Sequence, residues 1–204
     1  MKHKISRILC TALCCAPLLA TAQTSEKNTS PQRLYQEGQT LFQQKAYSAA
    51  ISPLQAHIQQ LTADGKPLPA TGEQQEAEYM LVCAAYELRN PKSVELLRAF
   101  LDEYPDTPHA NRIYALIAST YFFEGKFDDA LAMFNSARLD LLSPEERDDM
   151  TYRLATCYLK TGNVKEAAIW FEMLRSTSKQ YAADCNYYRG IALGGDVHGS
   201  CHGH

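Results

Sequence analysis

Donors that hold metal ions crowd the last nine residues, where Asp196, His198, Cys201, His202 and His204 stand together. Imidazole and thiolate at such spacings suit zinc or copper. The same stretch is glycine-rich and offers no evident second shell to orient the ligands. A disordered tail over residues 194–204 is therefore the expectation, with metal binding through His198, Cys201, His202 and His204 as the competing reading. Reactive residue types elsewhere stand apart from one another. His57 and His109 lie near helix ends, where an exposed or capping histidine is expected, and a histidine needs positioned partners to act on a substrate. Cys83, Cys157 and Cys185 fall within helical patterns and read as small buried residues. The chain has no nucleophile elbow and no phosphate-cradling glycine loop. A non-enzymatic protein without a cofactor is the expectation.

The elements that must position any site are written as a repeat. From Tyr114 to Ala137 the chain reads YALIASTYFFEGKFDDALAMFNSA, and a related version runs from Thr151 to Leu174. Ile117, Ala118, Tyr121, Gly125, Phe127, Ala130, Phe134 and Ala137 pair with Leu154, Ala155, Tyr158, Gly162, Val164, Ala167, Phe171 and Leu174, each 37 residues on. Small residues, aromatics and a glycine at fixed offsets describe one helix–turn–helix unit used twice. Apolar positions at three- and four-residue spacing also run from Leu34 to Leu61, with Pro53 predicting a kink or a late start in the second helix of that pair. Residues 62–72, with two glycines and two prolines, form the longest predicted loop. Asn90-Pro91, Thr107-Pro108 and Ser143-Pro144 read as starts of later helices, because the polar side chain accepts from orphan amides and proline has none to leave unsatisfied. Ser143 with Glu146 fits a capping box.

The first 22 residues are set apart. Lys2, Lys4 and Arg7 precede an apolar run from Ile8 to Ala20, and Ala20-Thr21-Ala22 presents small residues for cleavage before Gln23. That run is shorter than the roughly 20 residues a spanning helix needs. Cleavage would leave 182 of the 204 residues and shift the formal charge from −3 to −6 by removing those three cations. Mild acidity gives no basic footprint for nucleic acid. The four cysteines that remain are widely spaced in a chain large enough to fold without staples, so they do not form a disulfide framework. Residues 23–30 are a polar, flexible leader.

These motifs resemble the tetratricopeptide repeat family, closely over residues 111–140 and 148–174. Residues 31–61 match at Leu34, Gly38, Leu41, Tyr47, Ala50 and Leu54 but depart at Glu37, Lys45 and His57. Residues 73–105 lack the turn glycine, with Asn90-Pro91 expected to make a shorter connection. The resemblance implies an all-α, right-handed solenoid of antiparallel helix pairs over 31–193, with repeats near 31–61, 73–105, 108–140 and 144–176 and a partial one at 180–193. It also implies that first helices line a concave groove, here with Tyr35, Gln39, Phe42, Arg112, Ser119, Phe122, Tyr152, Thr156, Leu159 and Tyr187. Aromatic faces and hydroxyls suit an extended peptide or a partner helix. Arg112 alone does not make the carboxylate clamp known in one subclass. The Tyr104-Pro105-Asp106-Thr107-Pro108 join is similar to those of periplasmic repeat proteins serving envelope assembly, so the expected role is an exported, periplasmic interaction scaffold with a protein partner of the envelope. If the chain is instead the first piece of a longer repeat protein, Tyr187, Tyr188, Ile191 and Leu193 would form an unpaired apolar face and promote self-association.

Overall fold

The structure, a computed structural model, describes residues 30–62 and 72–199, with side chains at all of these except 61, 62, 189 and 192–199. The first 22 residues, which read as a cleaved signal peptide, nearly all of the leader at 23–30, most of the loop and the end of the tail lie outside the described residues. Within them are nine α-helices, one short 3-10 turn and no strand. The helices are α1 (Pro31–Gln43), α2 (Tyr47–Thr62), α3 (Gly72–Glu87), α4 (Ser93–Glu103), α5 (Ala110–Phe123), α6 (Phe127–Ser136), α7 (Pro144–Lys160), α8 (Val164–Thr177) and α9 (Ala182–Gly199). The 3-10 turn, Leu139–Leu141, separates α6 from α7. Contacts divide the chain into two compact units that meet in sequence at Thr107 and Pro108.

In the first unit α1 pairs with α2 and α3 with α4, and α3 also packs on α1 and α2. Nine consecutive residues of α3, Ala77 to Ala85, are buried, eight of them apolar or aromatic and the ninth Glu78, so that stretch is covered on every side. Gly38 sets the approach of the first pair. A Cβ there would stand 2.6 Å from Cγ and Cδ2 of Leu54, which is itself fully buried. Pro53 is accommodated inside α2, which begins at Tyr47, so the expected late start does not occur. Proline deletes one backbone donor, and the turns on either side carry the ladder past the gap.

In the second unit α5 pairs with α6, α7 with α8, and α9 packs on α8. Ala118, Ala130, Ala155 and Ala167 are all fully buried, the small residues that let helix axes approach. Phe134 and Phe171 fill the space between them. Phe171 stacks on Tyr188 at 5.4 Å and meets Tyr152 edge-on at 6.2 Å. Such ring pairs add roughly 0.5–1.5 kcal/mol beyond the area they bury. Helix α9 continues to Gly199, six residues beyond the expected end of the helical pattern at Leu193. Gly194 and Gly195 cost about 1 kcal/mol each in a helix, but no proline interrupts the ladder.

All four helix pairs turn in the same way. The residue after the C-cap takes left-handed backbone angles, and these residues are Lys45, Arg89, Gly125 and Gly162. Each donates its amide three residues back, to Phe42, Tyr86, Phe122 and Leu159 respectively. The next amide reaches five residues back, to Leu41, Ala85, Tyr121 and Tyr158. This is the Schellman arrangement, which satisfies the last orphan carbonyls of a helix. Repeat two therefore keeps the turn without its glycine. Its connection is longer than the others, contrary to expectation, because α4 begins four residues after Arg89 while α2, α6 and α8 begin two after theirs.

The polar-residue-plus-proline starts divide in structure. Ser143 caps α7, accepting from the Glu146 amide at 3.3 Å with Pro144 in the first turn, and Ser30 does the same for α1. Asn90 accepts from the Lys92 amide at 2.9 Å and closes a turn ahead of α4. Thr107 does not cap α5, whose N-cap is His109; its hydroxyl accepts from Gln75 Nε2 at 2.9 Å.

Candidate functional site

First helices of the second unit are laced together by side chains. Arg112 Nε on α5 meets Glu146 Oε1 on α7 at 2.5 Å. Arg153 on α7 donates to Ser119 on α5, lies 3.6 Å from Asp149, and places its guanidinium 4.9 Å above the Phe123 ring. The Tyr181 hydroxyl, just before α9, donates to that same Asp149. Burial and then the Asp149 carboxylate push the Tyr181 phenol up to about 12. Arg112–Glu146 and Ser119–Arg153 each span 34 residues, three short of the 37-residue equivalence, so a contact between neighbouring first helices joins positions displaced by about one turn.

The groove positions expected from sequence scatter in environment. Ser119 is fully buried under Arg153, and Thr156 is buried with its hydroxyl returned to the Tyr152 carbonyl at 2.8 Å. Tyr152 stacks on Tyr181 at 5.0 Å and meets Tyr188 edge-on, so it belongs to the aromatic core; burial raises its phenol first, and Tyr188 adds to the shift. Leu159 packs against the same cluster. Arg112 and Phe122 are half-buried, Phe122 between Phe123 and Phe127. Tyr187 is 65% exposed. In the first unit Tyr35, Gln39 and Phe42 are half-buried, Tyr35 against the His57 ring and Phe42 against Tyr47.

Phe123 and Arg153 stand outside the groove expected from sequence, and Ile191 belongs to the expected apolar face of α9. Phe123 is 49% exposed and Ile191 45%, and Arg153 bridges α7 to α5 beside Phe123. Phe123 and Arg153 each follow a residue assigned to the groove, Phe122 and Tyr152, and one position along a helix turns the side chain by about 100°. The predicted apolar face on α9 is likewise divided. Tyr188 is spent against Phe171, while Tyr187 and Ile191 remain on the outside.

The histidine and cysteine readings resolve differently. His57 is buried instead of exposed, and its Nδ1–H donates to the Pro31 carbonyl at 2.7 Å, tying α2 to the first turn of α1. His109 takes the N-cap position of α5 without a side-chain cap bond. Cys83, Cys157 and Cys185 are free and buried. Burial pushes the Cys157 thiol up to about 12 and the Cys185 thiol up to about 11, which leaves both as inert thiols at neutral pH. The side chains of His198, Cys201, His202 and His204 lie outside the described residues. Among the described residues no three of His, Cys, Asp and Glu converge to hold a metal, and no helix is long and apolar enough to cross a membrane.

Two tetratricopeptide repeat family models match the chain, one over residues 116–184 and the other over residues 76–107. No curated protein matches it. Among solved structures, two crystal structures of nearly identical TPR-like repeats from a Podosopora anserina kinesin light chain, one of them a single-residue variant, are similar at a TM-score of 0.54 and 14% identity. The alignments cover 86% and 85% of this chain and 90% of each of those. At that identity the likeness is one of fold. Residues 76–107 and 116–184 match tetratricopeptide repeat models, and the chain has the all-α solenoid fold of such repeats.

Proposed function

We propose that the protein is a non-enzymatic scaffold of the bacterial cell envelope, exported to the periplasm, which binds a segment of a protein partner on the first-helix face of its second unit. Tetratricopeptide repeats serve protein–protein interaction in general, and two stretches of the chain match them. The observation that carries the reading is the exposure of Phe123 and Tyr187, with Ile191, on first helices of the array, and the guanidinium of Arg153 laid over Phe123. Exposed aromatics with an arginine are the residue types that concentrate binding energy in protein interfaces. Binding is an equilibrium capture, and no bond is made or broken. Export rests on the basic start, apolar run and Ala20-Thr21-Ala22 of the first 22 residues.

The test compares capture from an envelope extract by the wild type, by Phe123→Ala with Tyr187→Ala, and by Ile169→Ala, which alters an exposed apolar residue on the second helix of a pair. Loss confined to the double variant supports the face. Equal capture by all three sinks it. Amino-terminal sequencing of the exported protein should begin at Gln23, and an intact Met1 in the cytoplasm overturns the envelope assignment.

A further inference from the structure

Glu78 lies within the buried stretch of α3 with only 2% of its surface exposed. Its carboxylate accepts from the Tyr104 hydroxyl at 2.9 Å and from Gln74 Nε2 at 3.0 Å. Both donors are neutral, and among the described residues no cation reaches it. Glu103, at the end of α4, acts on it as a second negative charge. Helix α2 carries no acidic or basic residue besides His57, which is bound to Pro31. Glu73 and Glu76 of α3 act instead on Tyr35 of α1. A carboxylate so placed has lost its water and faces another of its own sign, which disfavours the charged form.

Tyr104 matters because of what it holds. It is the C-cap of α4, packs on Phe100 at 4.9 Å, and begins the connector Tyr104–Thr107 that closes the first unit. The connector has two side-chain anchors on α3: Tyr104 on Glu78, and Thr107 on Gln75 at 2.9 Å.

We propose that Glu78 is a pH-operated latch on the second helix pair, closed when its carboxyl is neutral and loosened when it is charged, with the segment Tyr104–Thr107 as the part released. Burial is the leading cause of a carboxyl held above its ordinary range, Glu103 adds to it, and the two hydrogen bonds offset it in part. The folded state thus keeps a proton that the unfolded chain gives up. Its stabilisation is complete below the ordinary glutamate range and is lost as pH climbs through the raised value.

Two measurements on the full chain decide the matter. In thermal unfolding from pH 5 to pH 8, Glu78→Gln, which removes the charge, keeps one oxygen to accept from Gln74 and offers Tyr104 an N–H that the phenol oxygen can accept, should melt close to the wild type at pH 5 and several degrees above it at pH 8. A difference that does not change with pH, or a lower melting point at pH 8, overturns the latch. A carboxyl carbon-13 NMR titration of the wild type needs no variant and should place the Glu78 midpoint above that of exposed glutamates; a midpoint at or below theirs overturns it as well. Amide exchange at Tyr104, Asp106 and Thr107, corrected for intrinsic rate, should quicken across the same midpoint in the wild type and not in Glu78→Gln.

Discussion

Among the described residues, the first unit takes an imidazole and a carboxyl, His57 and Glu78, into its interior, whereas the second buries no charged side chain, and its buried polar residues are the hydroxyl-bearing Ser119, Thr151, Thr156 and Ser178. The charges of the second unit, Arg112 with Glu146 and Arg153 with Asp149, stay partly exposed along its first helices. A hydroxyl inside a helix returns its proton to its own backbone, as Thr156 does, at little cost. A buried carboxyl must answer to pH. Two regions built on one repeat plan thus place their polar groups differently, and among the described residues only the first buries a carboxyl.

The comparison is broken most forcefully in the cores. Phe171 and Phe100 are both fully buried. Phe171→Ala should cost about 3–5 kcal/mol in urea unfolding, the usual range for removing a buried phenylalanine. Its effect should reach α9, because Tyr188 and Tyr152 both rest on that ring. Faster amide exchange in α9 checks this. Phe100→Ala should cost a similar amount with its exchange signature in α3 and α4, since Phe100 meets Tyr79 and Tyr104.

The position next in effect is one where the repeats differ by a single methyl group. Gly38 occupies in repeat one the place that Ala118 and Ala155 hold in the second unit, where a Cβ is tolerated at full burial. In the first pair the chains are closer, and the added carbon would strike Leu54. Gly38→Ala should destabilise by about 1–3 kcal/mol through overpacking. Gly190, at the equivalent place on α9, has nothing within 4 Å of an added Cβ. Gly190→Ala should therefore stabilise, by up to about 1 kcal/mol of helix propensity. Denaturation midpoints that moved in the same direction for both variants would remove the distinction.

What was legible in the sequence follows from the same differences. Where repeats carry alanines, a turn glycine and aromatics at fixed offsets, as at residues 117–137 and 154–174, the pattern alone led to the helix pairs and to their fully buried alanines. Where a side chain is spent on a partner distant in sequence, local pattern had nothing to read. Thr107 looked like a helix cap and instead serves Gln75, 32 residues away. His57 looked like a surface residue near a helix end and instead closes α2 on Pro31. Phase on a helix decides exposure, and local pattern does not say which rings a core will claim, as the aromatic cluster claims Tyr152.

The smallest effect tests the turns. Gly125 and Gly162 take left-handed angles without a side chain to clash, while Lys45 and Arg89 take them with one, at a cost of about 1–2 kcal/mol. Both basic residues follow the C-terminus of a helix, where a positive charge meets the negative end of the macrodipole and recovers roughly 0.3–1 kcal/mol. Two solutions to one turn therefore come out nearly level, since Lys45→Gly relieves the strain but gives up the charge and adds freedom to the unfolded chain. Lys45→Gly should shift stability by no more than about 0.5 kcal/mol, the scale of an ordinary surface change. Gly125→Ala should lose about 1 kcal/mol, because it accepts the strain with nothing in return. Gly125→Lys should fall between the two at low salt. In about 1 M NaCl, where screening extends only about 3 Å, the advantage of lysine over alanine at position 125 should vanish. If it persists in thermal unfolding at high salt, the helix dipole is not what permits Lys45 and Arg89 to stand where the second unit uses glycine.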